Sequence, residues 1–382
     1  MTWSIRAIRL GAAITTAFIA AGTPAGAQGT LGTQGFGYPQ GQLSTRALGT
    51  GGAVGESDPA STINPAAIAA FANSVLFFQF EPEFRTTSVA GDSRRTNVSR
   101  FPNMMAALTL GQKWSVALSA STLADRTSAT RFSGFVPVAG DSAMADLSYR
   151  IDGALTDVRA AGAYRAGKNV NLGVGLHGVT GRHRLERQLA FEARPDLVSL
   201  REDTSVAYSG FAASAGVEWR VARHFGLSGS ARKGGALRSR YGDDVRGKGR
   251  VPDRAGVGLR YEGVAGAVLA ARLDWAGWSA MRPLLSDSAA VRDVWDMGIG
   301  ADVAGPRFRR RVVQVRAGVR MRELPFTVRN DVVRELSFAG GAGIPVASGR
   351  GIIDLGVQRS RREVGDAREK AWAISLSFGI RP

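Results

Sequence analysis

Residues 170–177 read Val-Asn-Leu-Gly-Val-Gly-Leu-His, with apolar side chains at every second position and small or polar ones between them. Because successive side chains of a β-strand point to opposite faces, this alternation predicts a strand with one apolar and one polar face. The pattern recurs from about residue 75 onward, and residues 211–220, 313–322 and 372–380 show it clearly. The chain is therefore predicted to be all-β from residue 75 to its end.

The repeated units predict fourteen strands, an even number. They lie near residues 75–85, 103–110, 114–122, 154–165, 170–182, 205–220, 225–240, 252–262, 267–279, 293–304, 311–322, 333–344, 351–361 and 369–380. Short connections are predicted to alternate with long polar loops, the long ones lying near residues 123–153, 183–204, 241–251, 280–292, 323–332 and 362–368. Short turns at one end and long loops at the other are typical of outer-membrane barrels.

The N-terminus predicts export. Arg6 and Arg9 precede an apolar stretch, residues 10–21, and Ala25-Gly26-Ala27 matches a cleavage site, so residues 1–27 are predicted to be a signal peptide and the mature chain to begin at Gln28. After the first 30 positions no window of about 18 uncharged apolar residues occurs, which excludes a helical membrane protein. We expect the outer membrane of a Gram-negative-type bacterium.

The polar face decides between a soluble β-sandwich and a transmembrane barrel. A sandwich turns its apolar face inward around a dry core, whereas a barrel in lipid turns it outward and keeps a polar interior. Many charged residues fall on the polar face: Asp157, Arg159, Glu218, Arg220, Arg232, Arg260, Arg272, Asp274, Asp296, Asp302, Arg316, Arg320 and Asp354. They favour a wet lumen. Tryptophans near strand ends (Trp114, Trp219, Trp275, Trp278, Trp295 and Trp372) are expected to form interfacial girdles.

Composition limits the chemistry. The chain has 382 residues, with 49 Lys and Arg against 32 Asp and Glu, no Cys, and three His, namely His177, His183 and His224. Absence of Cys excludes disulfides and thiolate chemistry, and three His leave little for a metal site. We expect no metal, no cofactor and no enzymatic activity. A hydrolase would need a nucleophilic Ser with a His partner at the membrane rim, and no GxSxG surrounds any serine.

Other motifs are explained without a binding or catalytic site. Residues 173–178 match GxGxxG but lie inside an alternating strand, so they predict no dinucleotide site. The carboxylates of Asp92, Asp125, Asp141, Asp243 and Asp244 are expected to be solvated in loops. Arginines near residues 309–311 and 359–362 are spread over many strands rather than along one accessible stripe, so we expect no nucleic-acid binding and favour contact with lipopolysaccharide phosphates. Inward glycines at 216, 256, 258, 298, 300 and 318 are explained by sheet curvature alone.

Residues 28–74 do not resemble a strand. They are rich in Gly and small residues and then read Asp58-Pro-Ala-Ser61 and Asn64-Pro65-Ala66, followed by residues 67–70. Asn-Pro initiates a turn, and Pro suits the first position of a helix. The segment is predicted to form a plug of small helices that enters the barrel.

Gly49-Thr-Gly-Gly-Ala-Val-Gly55, then Asp58 and Asn64-Pro65-Ala66, resembles the N-terminal hatch of the FadL/TodX outer-membrane transporters of hydrophobic compounds. After the predicted signal peptide at 1–27, the resemblance implies a hatch at 28–74 and a fourteen-stranded barrel at 75–382. It assigns the hatch turn to Asn64, Pro65 and Ala66, and it leaves the ligand-contacting residues unmapped. A related barrel group, associated with type IX secretion, binds cargo proteins instead.

The expected function is passive uptake of hydrophobic molecules such as long-chain fatty acids or aromatic hydrocarbons, with outer-membrane lipid and lipopolysaccharide as surroundings. The alternative is a non-transport barrel that serves as a scaffold for secretion-machinery proteins or as a structural component. An apolar tunnel in the lumen would favour transport, and a filled, hydrogen-bonded lumen would favour the alternative.

Overall fold

The computed structural model describes residues 31, 35–89, 92–138, 141–191, 196–285, 290–308, 311–328 and 331–381. The predicted signal peptide at 1–27, residues 28–30 and 32–34 of the predicted hatch, and Arg309 and Arg310 lie outside the described residues. Within those ranges, no helix has the length and apolar character needed to cross a membrane.

The described residues form seventeen strands in one antiparallel sheet. The strands are β1 (Val75–Val89), β2 (Asp92–Leu110), β3 (Trp114–Asp125), β4 (Ser128–Val138), β5 (Asp141–Asp152), β6 (Ala154–Arg165), β7 (Val170–Ala190), β8 (Leu200–Ala222), β9 (Phe225–Tyr241), β10 (Asp244–Arg250), β11 (Asp253–Tyr261), β12 (Ala267–Gly277), β13 (Val294–Phe308), β14 (Arg311–Glu323), β15 (Arg334–Val346), β16 (Gly351–Val364) and β17 (Ala367–Ile380).

Fourteen of these strands close into a barrel. β1 pairs with β2 on one side and with β17 on the other, so the sheet has no end. The ring skips three strands: β3 pairs directly with β6, and β9 pairs directly with β11. β4, β5 and β10 lie beyond the ring at the end with the longer connections, here called the long-loop end. The predicted fourteen-stranded barrel is confirmed.

The predicted long loops are wrong in several places. Residues 128–152 are a hairpin, β4 with β5, and β5 continues the sheet alongside β7. β7 and β8 extend far into the predicted loop at 183–204, and β16 and β17 are joined by only two residues, Gly365 and Asp366. Beyond the membrane a strand has no lipid on its outer face, so the alternation that identifies spanning strands is not required there.

The barrel is apolar outside, as predicted, and many of the inward side chains are polar, as predicted as well. Exposed outward side chains include Leu76, Leu118, Val174, Leu176, Phe211, Ile299 and Phe338. Of the charged residues predicted to face the lumen, those that are buried are Asp157, Arg159, Arg232, Arg272, Asp274, Asp302, Arg316, Arg320 and Asp354. Trp114, Trp219, Trp295 and Trp372 are exposed on the outer surface, but Trp278 is wrong as a girdle residue because it is buried against Phe326.

Candidate functional site

The N-terminal segment lies inside the lumen and forms the hatch. Its described residues, 31 and 35–74, include one short helix, α1 (Thr45–Gly49), and two 3-10 turns, Gly55–Ser57 and Pro65–Ala70. α1 contacts β14 to β17, whereas the turn Pro65–Ala70 contacts β3 and β6 to β8. The hatch therefore touches opposite sides of the barrel wall at once.

Hydrogen bonds within the hatch hold its two halves together. The Ser44 hydroxyl accepts from the Ala47 amide at 3.1 Å, which caps α1, and donates to Asp58 Oδ2 at 2.5 Å. Asp58 also accepts from the Ser61 hydroxyl at 2.9 Å. Asp58, which the sequence placed in the hatch, thus joins α1 to the segment that leads to the second turn.

The predicted hatch residues meet at the start of the turn Pro65–Ala70. The Asn64 side chain accepts from the Ala66 amide at 2.9 Å, and its Nδ2 donates to the Glu56 carbonyl at 2.8 Å and to the Val217 carbonyl of β8 at 3.4 Å. Pro65 occupies the first helical position, where its missing N–H leaves no bond unmade. Asn64 and Ala66 are fully buried. Asn64 therefore caps the turn and ties it to the wall.

Inward glycines provide the space that the hatch occupies, which corrects the explanation from curvature alone. A Cβ at Gly216 would lie 2.0 Å from Asn64 Oδ1, and one at Gly318 would lie 2.1 Å from the Thr50 carbonyl. Glycines 298 and 300 approach the backbone of residues 50–53, and glycines 256 and 258 approach Glu56. Any larger side chain at these places would collide with the hatch.

Charged pairs connect the hatch to the wall. Glu56 is fully buried, accepts from the Ser230 hydroxyl at 2.9 Å, and pairs with Arg254. Arg46 donates to Asp302 at 2.9 Å and lies 3.7 Å from Asp58. Desolvation in the lumen lowers the pKa of Arg46, but these two carboxylates raise the pKa by more than that. The net result is a pKa above the usual value for arginine. Arg46 is therefore held as a cation.

At the long-loop side of the hatch, Tyr38 lies among arginines. Its ring centre is 4.3 Å from the Arg362 guanidinium carbon and 4.5 Å from that of Arg322, and its hydroxyl donates to Glu335 at 3.0 Å. Arg362 also bonds Glu83 at 2.9 Å. The tyrosine side chain is thereby fixed against residues of β14, β15 and β16.

The wall contains a break next to Tyr38. β2 and β3 pair only between residues 103–110 and 114–121; above that level β2 pairs with β1 alone, and β3 with β6 alone, within the described part of the chain. Pro102 lies at this level and has no N–H to donate to β3. A bulge at Leu123 also shifts the register of β3 against β6.

The hatch closes this break. Tyr38 and Asp125, at the end of β3, exchange backbone hydrogen bonds of 2.7 and 2.9 Å, and Arg100 of β2 pairs with the Asp125 side chain. Asp125 is therefore not the solvated loop carboxylate that was predicted, because it is buried and paired. On the outer surface beside the break, the Phe101 ring lies 5.5 Å from Phe78 and 5.2 Å from Phe80.

An apolar cluster fills the lumen at the level of the break. Its buried members come from the hatch, the wall and the connections: Phe36, Leu123, Ala124, Leu155, Val179, Tyr208, Ala212, Leu237, Val251, Trp278, Met281, Val291, Val294 and Phe326. A cavity of about 70 Å³ lies at its border with the hatch, lined by residues that include Gln42, Leu123, Arg232 and Trp278. Beside the break, the lumen is thus apolar at Leu123 and Ala124 of β3 and charged at Glu83 of β1 and Arg100 of β2.

The three histidines lie at different depths. His177 is buried on the inner face of β7, His183 is buried farther toward the long-loop end beside Phe36 and Tyr208, and His224 lies in the β8–β9 turn. His177 therefore faces the lumen. Its partners are Asp157 and Ser214, which the sequence alone did not bring together.

Comparison with solved structures identifies the architecture. The Ralstonia pickettii toluene transporter TbuX matches with a TM-score of 0.62 at 14% identity, over 89% of this chain and 98% of TbuX. A Pseudomonas aeruginosa FadL homologue matches at 0.60 and 14%, over 89% and 98%. The Pseudomonas putida toluene transporter TodX matches at 0.59 and 15%, over 88% and 97%. The chain has the FadL/TodX-type fold.

Likeness at this level of identity concerns the FadL/TodX-type fold alone. No protein-family model and no curated protein matches the sequence. The fold that the resemblance of Asn64-Pro65-Ala66 implied is nevertheless confirmed, with the N-terminal helical segment inside a fourteen-stranded barrel. The part these three residues play in gating stays a prediction.

Proposed function

We propose that the chain is an outer-membrane channel for the passive uptake of hydrophobic molecules such as long-chain fatty acids or aromatic hydrocarbons. The observation that carries the proposal is the break between β2 and β3, which joins the lumenal apolar cluster to the apolar outer surface around Phe101. A hydrophobic molecule that passed along this route would remain in contact with apolar groups and avoid water. Two solved structures with the same fold are named toluene transporters.

The outer surface of the barrel also indicates which molecules would surround the protein. The outward apolar face would contact outer-membrane lipid, and arginines at the long-loop end would pair with lipopolysaccharide phosphates, since guanidinium groups bind phosphate in a bidentate manner.

A pair of disulfide locks tests the route, because the chain has no Cys of its own. Tyr38 and Asp125 exchange both backbone bonds, which places their Cα atoms about 5.5 Å apart, within the range that a disulfide spans. In Tyr38→Cys/Asp125→Cys, oxidation should close the break and lower uptake of labelled fatty acid or toluene by at least tenfold, and a reductant should restore it.

The matched control locks the hatch elsewhere. Thr45 Oγ1 and Ser375 Oγ lie 2.8 Å apart, and β1 and β2 separate β17 from the break, so Thr45→Cys/Ser375→Cys fixes α1 to β17 without touching the break or changing a charge. Uptake should be the same in its oxidised and reduced forms. If cells with the wild-type chain took up no more substrate than cells lacking it, the proposal would be overturned. Equal inhibition by both locks would indicate that the substrate passes through the hatch instead of the break.

The filled lumen around the hatch favours a second candidate, a non-transport barrel acting as a scaffold in protein secretion or as a structural component. Native mass spectrometry of the gently extracted protein separates the two. A bound fatty acid or hydrocarbon supports the channel, whereas a mass increase from a bound protein supports the scaffold.

A further inference from the structure

Three side chains form one row across the inner face of the wall, from β6 through β7 to β8. His177 Nδ1 lies 2.8 Å from Asp157 Oδ1, and His177 Nε2 lies 2.8 Å from Ser214 Oγ. A carboxylate on Nδ1 and a serine hydroxyl on Nε2 is the arrangement that activates serine nucleophiles on unrelated folds. We propose that Ser214 is the nucleophile of an esterase site inside the barrel.

Strand register builds the row. In the β6–β7 and β7–β8 ladders, His177 is opposite Arg159 and Ala212, so its bonds to Asp157 and Ser214 are both diagonal. The Asp157 carboxylate is held from a second side, because Gln42 of the hatch donates to it at 3.0 Å and Arg232 at 3.1 Å. The imidazole is therefore oriented between two fixed groups, which a general base requires.

A cation lies beside the nucleophile. Arg159 is buried, and within the described part of the chain none of its three guanidinium nitrogens has a hydrogen-bond partner. Its stem passes Gly175 next to the serine: a Cβ at Gly175 would lie 2.7 Å from Ser214 Oγ and 3.4 Å from Arg159 Cδ. A buried unpaired guanidinium near a reacting carbonyl would stabilise the oxyanion that develops there.

The neighbouring row indicates the class of substrate. One step toward the long-loop end, the inward residues on the same three strands are Leu155, Val179 and Ala212, all buried members of the apolar cluster. With the hatch beside Ser214 displaced, a hydrophobic acyl chain would lie against them while its carbonyl carbon reached Ser214. The geometry therefore suits a carboxylic ester with an apolar acyl chain.

The reaction balances with water as the co-reactant. Ser214 Oγ bonds to the ester carbonyl carbon while its proton passes to His177 Nε2, and the alcohol leaves with that proton as the carbon–oxygen bond breaks. Water then attacks the acyl-serine, gives a proton to Nε2, and Ser214 recovers it as the carboxylic acid departs. This activity is separate from uptake and does not depend on it.

A fluorophosphonate probe, which labels activated serines covalently, tests the site in the full mature protein, with heat-modifiable migration as the check on folding. We expect one adduct on the peptide that contains Ser214, and hydrolysis of p-nitrophenyl butyrate. His177→Gln should slow both at least 100-fold, the typical loss when a general base is removed. Ser228, a buried inward serine on β9 whose hydroxyl donates to the Gly258 carbonyl, provides the matched control, and Ser228→Ala should label normally.

The variant Asn64→Ala tests access through the hatch, because it loosens the hatch beside Ser214. The probe should label Ser214 faster in this variant than in the wild type. Absence of an adduct in both folded proteins would overturn the proposal. Labelling that His177→Gln does not slow would overturn it as well, since the serine would then not be activated by the row. A row that only supports the hatch would give no covalent adduct.

Discussion

Replacement of Asn64 by Ala should loosen the hatch without opening the barrel. Asn64 is fully buried and makes three hydrogen bonds, one that caps the turn Pro65–Ala70 and two that reach the carbonyls of Glu56 and Val217. Loss of an N-cap costs about 1 kcal/mol. A buried carbonyl left without its donor at Glu56 adds about 1 to 2 kcal/mol, and the longer bond to Val217 adds little.

The sum is about 2 to 3 kcal/mol of local stability, which corresponds to roughly 30- to 150-fold more frequent opening of the hatch, at 1.4 kcal/mol for each factor of ten. Hydrogen exchange followed by mass spectrometry measures this directly, because exchange of buried amides reports local opening. Peptides that cover residues 56–72 should exchange faster by that factor, while peptides from β12 to β16 should not change.

Two variants sharpen the test. Asn64→Ser keeps a capping oxygen but cannot reach the Glu56 carbonyl, so its effect should be about half as large in free energy. Asn97→Ala removes an exposed asparagine from β2 and should leave the hatch unchanged. If Asn64→Ala left hatch exchange at the wild-type rate, or raised exchange equally throughout the barrel, the reasoning that Asn64 fastens the hatch locally would be refuted.

Further outcomes follow from the same contacts. Gly318→Val should displace the hatch, because its Cβ would lie 2.1 Å from the Thr50 carbonyl, and should raise hatch exchange; Gly162→Ala, whose Cβ meets nothing within 4 Å, should not. Tyr38→Phe removes a hydrogen bond to the Glu335 carboxylate and should destabilise residues 36–42 by about 1.5 to 3 kcal/mol, measured by their exchange rate. Intact-mass spectrometry of the protein extracted from the outer membrane should give the mass of a chain that begins at Gln28. A mass that still includes residues 1–27 would contradict the predicted cleavage.

The strands could be predicted because lipid imposes a pattern on them. The ring strands present mostly apolar side chains outward at alternate positions, and residues such as Val174 and Leu176 make that pattern visible in the sequence. The hairpin of β4 and β5 escaped prediction since no lipid faces it. Its partner residues on β7 are set by register, and register is not visible in the sequence of a polar segment.

The site could be predicted only where its residues are close together in the sequence. Asn64 and Pro65 are adjacent in sequence, and their preferences fix a turn wherever it lies. Asp157, His177 and Ser214 are on three strands, and only the registers of two ladders bring them into one row. Gly216 and Gly318 gave a signal, glycine at inward positions of a strand, but sheet curvature produces the same signal, so the contact with the hatch needed the structure.

A filled lumen and a hydrophobic cargo are compatible if the cargo never crosses the level of the hatch. Removing the whole hatch would break the contacts of α1 with four strands, the Glu56–Arg254 pair and the bonds of Asn64 together. If β3 and β6 move together, so that their ladder stays intact, opening the break needs less, namely loss of two backbone bonds between Tyr38 and Asp125, at about 1 kcal/mol each, and of the Arg100–Asp125 ion pair.

Arg100, which leaves Asp125 in that motion, keeps Glu83 as a partner, so no buried cation is left unpaired. Movement of the end of β3 is thus the less costly opening, and Leu123, in the apolar cluster, lies on that same segment. We therefore expect uptake to respond to the lock at Tyr38 and Asp125 and to be insensitive to a lock that holds α1 in place.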